Sequence, residues 1–241
     1  MLGANYRKMN VKNFENINTL ESTLVKKISL CVSDAIKKYG DARILLSGGS
    51  TPINLYSLLS KENVDWEKVK IGLVDERYVP IDDANSNERL IKASLIQNKA
   101  SKAIFTGMVY DTSNLDKNLD LAIAQNKSFY DETACVLLGM GTDGHTASLF
   151  PNDEKSLPGL KTGSDNGLLV YTNSPNEPKQ RISFTIDRLL NTKRLFLYFT
   201  GAEKMKVFSD AKTHDQPLKL PISSFIHQQQ KVLEVFWANN I

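Results

Sequence analysis

The stretch LLGMGTDGHTASLFP, Leu137 to Pro151, decides how the chain is read. Gly139, Gly141 and Gly144 have the G-x-G-x-x-G spacing of a dinucleotide-binding turn, and the apolar run ACVLL, ending at Leu138, supplies a strand before it. That fingerprint also needs the third glycine to enter a long helix, with an acidic residue about twenty positions further on. Asp165 falls near the second position, within a polar segment. The first requirement fails, because HTASLFP runs directly from Gly144 to Pro151 and the segment beyond reads as loop. The glycines therefore predict a sharp turn at a strand end that carries Asp143 and His145, and no bound NAD or NADP.

Working outward, the same strand-then-turn pattern recurs. Ile17, Leu20, Leu24, Ile28, Cys31, Val32, Ala35 and Ile36 repeat at threes and fours, which predicts a helix from Ile17 to Tyr39. Asn18 with Glu21 forms a capping pair at its start, and Gly40 ends it. Apolar runs follow at Ala42 to Leu46, Lys70 to Val74, Ala134 to Leu138, Gly167 to Tyr171, Ile182 to Ile186, Leu195 to Phe199 and Val232 to Trp237. Most are separated by helical patterns. The expected fold class is α/β: a Rossmann-like, largely parallel sheet with helices on both faces. No linker, low-complexity tract or charge run divides the chain, and Asn152 to Asn166 reads as one long surface loop, so residues 1–241 are read as a single domain.

Composition narrows the partners. Thirty basic and 27 acidic side chains give a formal charge of +3, scattered without a stripe to track a phosphate backbone, so nucleic acid is not expected. Cys31 and Cys135 each lie in an apolar segment without the spacing of a metal knuckle or redox pair, which suits buried free thiols in a reducing compartment. MLGANYRKMNVKNFEN has no apolar signal core, and nowhere do about eighteen apolar residues run together. A cytoplasmic protein with no membrane partner is expected. The sequence carries no signal for oligomeric state.

Ligands of open α/β sheets bind at the carboxyl ends of the strands, so the residues after each run are the candidates. After Leu46 comes SGGSTP. Gly48 and Gly49 let the backbone turn with its N–H groups exposed, Ser50 and Thr51 add hydroxyl donors, and Pro52 suits the first turn of a helix. This makes an anion site, although an ordinary glycine-bearing turn would look the same, and no G-K-[ST] follows as in a Walker loop. After Val74, DERYVP sets Asp75 and Arg77 against a buried strand end; a surface Asp–Arg pair is the plainer reading of that stretch alone. His145 is the only one of three histidines at a predicted strand end, and an imidazole beside Asp143 on a glycine loop has the makings of an oriented general base. After Phe199, TGAEK places Lys204 in the first turn of a helix, where a cation is unfavourable unless an anion is bound. Arg181, leading RISFTI, adds a second cation only if its strand runs antiparallel; otherwise it sits at the opposite end.

GMGTDGHTASLFP, together with LSGGSTP, VDERYVP, the SN of Ser86 and Asn87, QRISFT and TGAEK, resembles the 6-phosphogluconolactonase family, in order from about Leu20 to the C-terminal strand. The resemblance implies hydrolysis of 6-phospho-D-glucono-1,5-lactone to 6-phosphogluconate in the oxidative pentose phosphate pathway, with a small sugar-phosphate lactone as partner and neither metal nor organic cofactor. By resemblance His145 is the general base, and Asp143 holds the imidazole or contacts the sugar. Asp75 accepts sugar hydroxyls, and Arg77 stabilises the developing oxyanion or holds the phosphate. The phosphate would lie among Gly48, Gly49, Ser50 and Thr51 with Lys204, and with Arg181 if it reaches. Glucosamine-6-phosphate deaminases of the same superfamily look similar at the glycine-rich segments but follow D-G-H with a run containing a catalytic glutamate, where this chain has Ser148, Leu149, Phe150 and Pro151. The alternatives are a deaminase-like isomerase and a non-catalytic sugar-phosphate-binding module. A serine nucleophile has no G-x-S-x-G elbow, and neither Ser50 nor Ser148 has an evident partner.

Overall fold

The computed structural model describes residues 9–163 and 167–239, so Asp165 lies outside the described residues. In chain order the elements are β1 (Met9–Phe14), α1 (Ile17–Tyr39), β2 (Ala42–Leu46), α2 (Ile53–Leu59), β3 (Val69–Leu73), β4 (Asp75–Arg77), α3 (Asn87–Ser94), β5 (Ile104–Thr106) and α4 (Leu115–Gln125). They continue as β6 (Thr133–Leu138), α5 (Leu157–Leu160), β7 (Leu169–Asn173), β8 (Gln180–Phe184), α6 (Ile186–Leu190), β9 (Thr192–Thr200), α7 (Ala202–Thr213), α8 (Ile222–His227) and β10 (Leu233–Ala238).

Helix α1 forms as its periodicity predicts, with Leu20, Leu24, Val25, Ile28 and Val32 on one buried face. Gly40 ends it in the left-handed region at φ 85°, donating its N–H to the Ile36 carbonyl. Its start differs from expectation. The cap is Asn16, whose side chain accepts the Thr19 N–H at 2.9 Å; Asn18 lies inside the first turn and Glu21 is turned inward and buried. The apolar spacing fixes the helix but leaves the cap free by a residue or two.

Seven strands form a sheet in the order β1-β10-β9-β6-β2-β3-β5, with every neighbouring pair parallel. Its central strands are covered on both faces, which is why they read as near-continuous apolar runs such as ILL at 44–46 and CVLL at 135–138. From β2 the chain passes to β3 on one side, and from β6 to β9 on the other. The loops leaving β2 and β6 therefore diverge, and a crevice opens between their carboxyl ends. Edge strands β1 and β5 escaped the sequence reading because the first is polar and half-exposed and the second has three residues.

Two runs expected in this sheet are elsewhere. β7 and β8 join β4 in a separate antiparallel sheet, ordered β4-β8-β7. An apolar run reports that a strand is covered, not which strand it pairs with. The segment after Pro151 is likewise not one surface loop: α5 forms within it, and Ser156, Gly159 and Leu160 are buried. Among the described residues no helix is long and apolar enough to cross a membrane.

Candidate active site

The carboxyl ends of β2, β3, β6 and β9 surround a cleft of about 230 Å³. That is below the roughly 300–1,000 Å³ common for drug-sized ligands, and suits a small one. Gly48, Gly49, Ser50 and Thr51 line one side; Asp75, Arg77, His145 and Lys204 line the rest. Of the residues singled out from sequence, only Asp143 and Arg181 do not face the cleft directly.

The Gly48–Thr51 turn is glycine-bearing for two separate reasons. Gly49 has φ 88°, and a Cβ on Gly48 would meet Asn87 Oδ1 at 1.8 Å. The Asn87 amide fills that space and donates from Nδ2 to the Asp75 carbonyl at 2.9 Å, so it fastens the turn to β4. Ser47 fastens the turn to the histidine loop: its hydroxyl donates to the Leu137 carbonyl at 2.8 Å and accepts the Gly139 N–H at 3.1 Å. Tyr56 in turn donates to the Ser47 carbonyl at 2.5 Å.

Across the cleft, His145 Nδ1 lies 2.5 Å from Asp143 Oδ1, which also accepts the His145 N–H at 3.1 Å. With Nδ1–H committed to the carboxylate, Nε2 is the nitrogen left as a base. Burial pushes Asp143 up, but the hydrogen bond and charge of His145 hold it below the usual carboxylate range. A Cβ on Gly141 would lie 2.2 Å from His145 Nδ1 and 2.6 Å from Asp143 Oδ1, so this glycine makes room for the pair. Gly144 turns the chain at φ 81°. No helix follows, in keeping with the sequence reading against a dinucleotide turn.

The next residues hold the loop rigidly. Ala147 is left-handed at φ 52°, a conformation costing an L-residue roughly 1–2 kcal/mol. Its neighbours over-determine it: the Thr146 hydroxyl donates to the Gly139 carbonyl at 2.8 Å, and the Ser148 hydroxyl to Asp75 Oδ2 at 2.6 Å. Ser148 has a partner in Asp75 that the sequence did not reveal, but it is buried and does not line the cleft. The other histidines sit elsewhere, His214 against Asp210 and His227 against the Ala211 carbonyl.

Strand β4 alternates. Asp75 and Arg77 line the cleft, while Glu76 points away and accepts the N–H groups of Arg77, Asn87 and Glu88, each at 2.7 Å. Burial outweighs these bonds and pushes Glu76 up to about 7. Strand β8 does run antiparallel to β4, pairing Arg181 with Arg77. Arg181 is buried and donates to the Pro178 carbonyl; burial first, then Arg77, pull it down to about 10. Lys204, half-buried in the first turn of α7, is also lowered by burial, with Asp143 and Glu203 pulling it back. Cys31 and Cys135 are both free thiols; burial pushes Cys31 up to about 11. Among the described residues no group of three or more His, Cys, Asp and Glu is placed to hold a metal ion. Sequence reasoning missed Ser47 and Tyr198, which line the cleft, and gave Asn87 no role. Asn87 carried a signal in the SN pair and Ser47 in SGGSTP; Tyr198 is one apolar-strand residue among many.

The family of glucosamine-6-phosphate isomerases and 6-phosphogluconolactonase matches residues 15–237. The chain belongs to this family. The match spans every segment lining the cleft, from Ser47 to Lys204. Family relatives include a 6-phosphogluconolactonase of Helicobacter pylori strain J99, 35% identical over 227 residues that cover 94% of this chain and 97% of that protein. Another from Rhizobium meliloti strain 1021 is 31% identical over 230 residues, 95% of this chain and 98% of its own. The crystal structure of a 6-phosphogluconolactonase from Shewanella baltica OS155 superposes with a TM-score of 0.90 at 36% identity, covering 95% of this chain and 97% of that one.

Proposed function

We propose that the protein hydrolyses 6-phospho-D-glucono-1,5-lactone to 6-phosphogluconate, with His145 as general base. The observation that carries this reading is His145, held by Asp143 at 2.5 Å, lining the same cleft as the Gly48–Thr51 turn. A water oxygen attacks the lactone C1 while its proton passes to His145 Nε2. The carbonyl electrons move onto oxygen, where Arg77 offers a cation. Collapse of the tetrahedral intermediate breaks the bond from C1 to the ring oxygen, which takes the proton back from His145. General-base assistance of this kind is worth about 10² to 10⁴ in rate. Asp143 keeps the imidazole in one orientation, and Asp75, itself held by Ser148, accepts a sugar hydroxyl.

The phosphate, remote from C1, lies among the Gly48–Thr51 donors and Lys204. Helix α2 has only seven residues, so its dipole adds little and the turn's own N–H groups, with the lysine, are the anion site. Such remote contacts fix the reacting carbonyl against the base. Deamination is disfavoured by the residues after His145. Where the deaminases have a catalytic glutamate this chain has Ser148 to Pro151, with Ser148 and Leu149 buried.

Incubation with 6-phosphogluconolactone and, separately, with glucosamine 6-phosphate tests the reading. Acid release from the first above the spontaneous rate, and no ammonia from the second, is expected. Ammonia release would establish a deaminase, and binding without turnover of either would leave a sugar-phosphate-binding module.

A further inference from the structure

Glu21, whose sequence position suggests a capping role, is instead fully buried beneath the cleft with no ion-pair partner among the described residues. A carboxyl group in that position is costly unless hydrogen bonds satisfy it. Two do: Asn54 Nδ2 donates to Oε2 at 2.5 Å and the Tyr198 hydroxyl donates to Oε1 at 3.0 Å.

Both donors come from the phosphate half of the site. Asn54 is the second residue of α2, directly after the Gly48–Pro52 turn that lines the cleft. Tyr198 lines the cleft on β9, the strand that runs into Thr200, Gly201 and the first turn of α7 with Lys204. The two segments are not neighbours in the sheet: β2 and β9 are separated by β6. Glu21, from a third element, therefore bridges the glycine turn and the strand leading to the lysine. Burial, reinforced by Glu21, pushes the Tyr198 phenol far above its ordinary range, so it stays a donor to Glu21.

We propose that Glu21 is a positioning residue for the phosphate subsite, setting the spacing between the Gly48–Thr51 turn and Lys204 through Asn54 and Tyr198. The proposal rests on the phosphate placement given under Proposed function. It predicts that Glu21 governs affinity for phosphorylated ligands rather than the chemical step.

Inorganic phosphate binding by calorimetry and steady-state turnover of 6-phosphogluconolactone are measured on the full chain, for wild type, Glu21→Gln, Tyr198→Phe and the double variant. In Glu21→Gln, phosphate affinity is expected to weaken by about fivefold or more, KM to rise in step and kcat to stay within about twofold, because Glu21 is bonded to Asn54 and Tyr198 and to neither member of the His145–Asp143 pair. Tyr198→Phe should shift affinity the same way by less. The double variant should be no worse than Glu21→Gln alone, since residues in one network are non-additive. A Glu21→Gln protein with a lower Tm and unchanged phosphate affinity would reduce Glu21 to a fold residue and overturn the proposal. So would a fall in kcat with affinity kept. If Glu21→Gln does not fold, Asn54→Ala and Tyr198→Phe each cut one arm, and unchanged phosphate affinity in both overturns it. A wild type that binds phosphate yet leaves the lactone intact would sink the lactonase reading alone, and the phosphate titrations would still decide on Glu21.

Discussion

Arg77 and Arg181 stand directly opposite each other across the β4–β8 pair, two like charges on one face of a small sheet. Opposed like charges are destabilising, and Arg181 is buried without a carboxylate partner among the described residues. An anion bound nearby offsets that cost. Arg181→Met is therefore expected to raise Tm while raising KM for the phosphorylated lactone, by roughly 1 kcal/mol or about fivefold, as for a charge set back from the ligand in an intermediate dielectric. Thermal melts and steady-state kinetics on the one variant check both halves. A lower Tm with unaltered KM would make the arginine structural.

Lys204 makes the same argument at closer range. Burial lowers its pKa, so the folded protein holds the ammonium less readily than the unfolded chain until an anion arrives. Lys204→Ala loses a charge-assisted hydrogen bond worth about 1.5 to 3 kcal/mol, or roughly 10-fold to 150-fold. The loss should fall on KM for 6-phosphogluconolactone and hardly on unphosphorylated gluconolactone. Equal losses on both lactones would place Lys204 outside the phosphate site.

The Gly48–Thr51 turn, the histidine loop and the lysine turn were legible in position because each directly follows a buried strand, whose apolar run marks where the chain turns. Arg181 was undecided, since its place depends on strand direction and only pairing sets that. Glu21 was misplaced because a glutamate three residues after an asparagine satisfies a capping pattern whichever way its side chain turns. Ser47, Asn87 and Tyr198 act by joining segments far apart in sequence, and no local pattern encodes such contacts.

The fit of the His145–Asp143 pair against Gly141 gives a steric test. A Cβ at position 141 would lie 2.2 Å from the imidazole, closer than packed atoms tolerate. Gly141 has no positive φ, so the backbone itself accepts alanine. Gly141→Ala is expected to fold and to bind phosphate, yet to lose on the order of 10-fold or more in kcat as the base is pushed off line. Wild-type kcat in a folded Gly141→Ala protein would show that the pair has room to move without consequence.

Glu76 predicts a pH dependence of stability. Its folded-state pKa of about 7 lies above the ordinary 4.5, so the folded chain binds this proton more tightly than the unfolded one. The stabilising contribution is complete below the unfolded value and is lost as pH rises through about 7. Glu76→Gln cannot titrate. Between about pH 5 and about pH 8, wild-type Tm should fall relative to that of Glu76→Gln. Parallel Tm curves across the range would mean the buried carboxyl does not titrate there.

His145→Asn keeps a polar side chain of similar reach on the same turn while removing the proton acceptor. The loop around it is held independently, by Thr146 on the Gly139 carbonyl and Ser148 on Asp75, so the fold and the phosphate subsite should survive. The expected result is a fall in kcat of about 10² or more with KM little changed, the pattern of an interaction made only in the transition state. Spontaneous lactone hydrolysis has to be subtracted from every measured rate. A variant that turns over near the wild-type rate would move the activation of water elsewhere, with Asp75 the first candidate, because it faces the same cleft and its carboxylate is already oriented by Ser148 at 2.6 Å. His145 would then be a residue that shapes the glycine turn, and its bond to Asp143 a structural one.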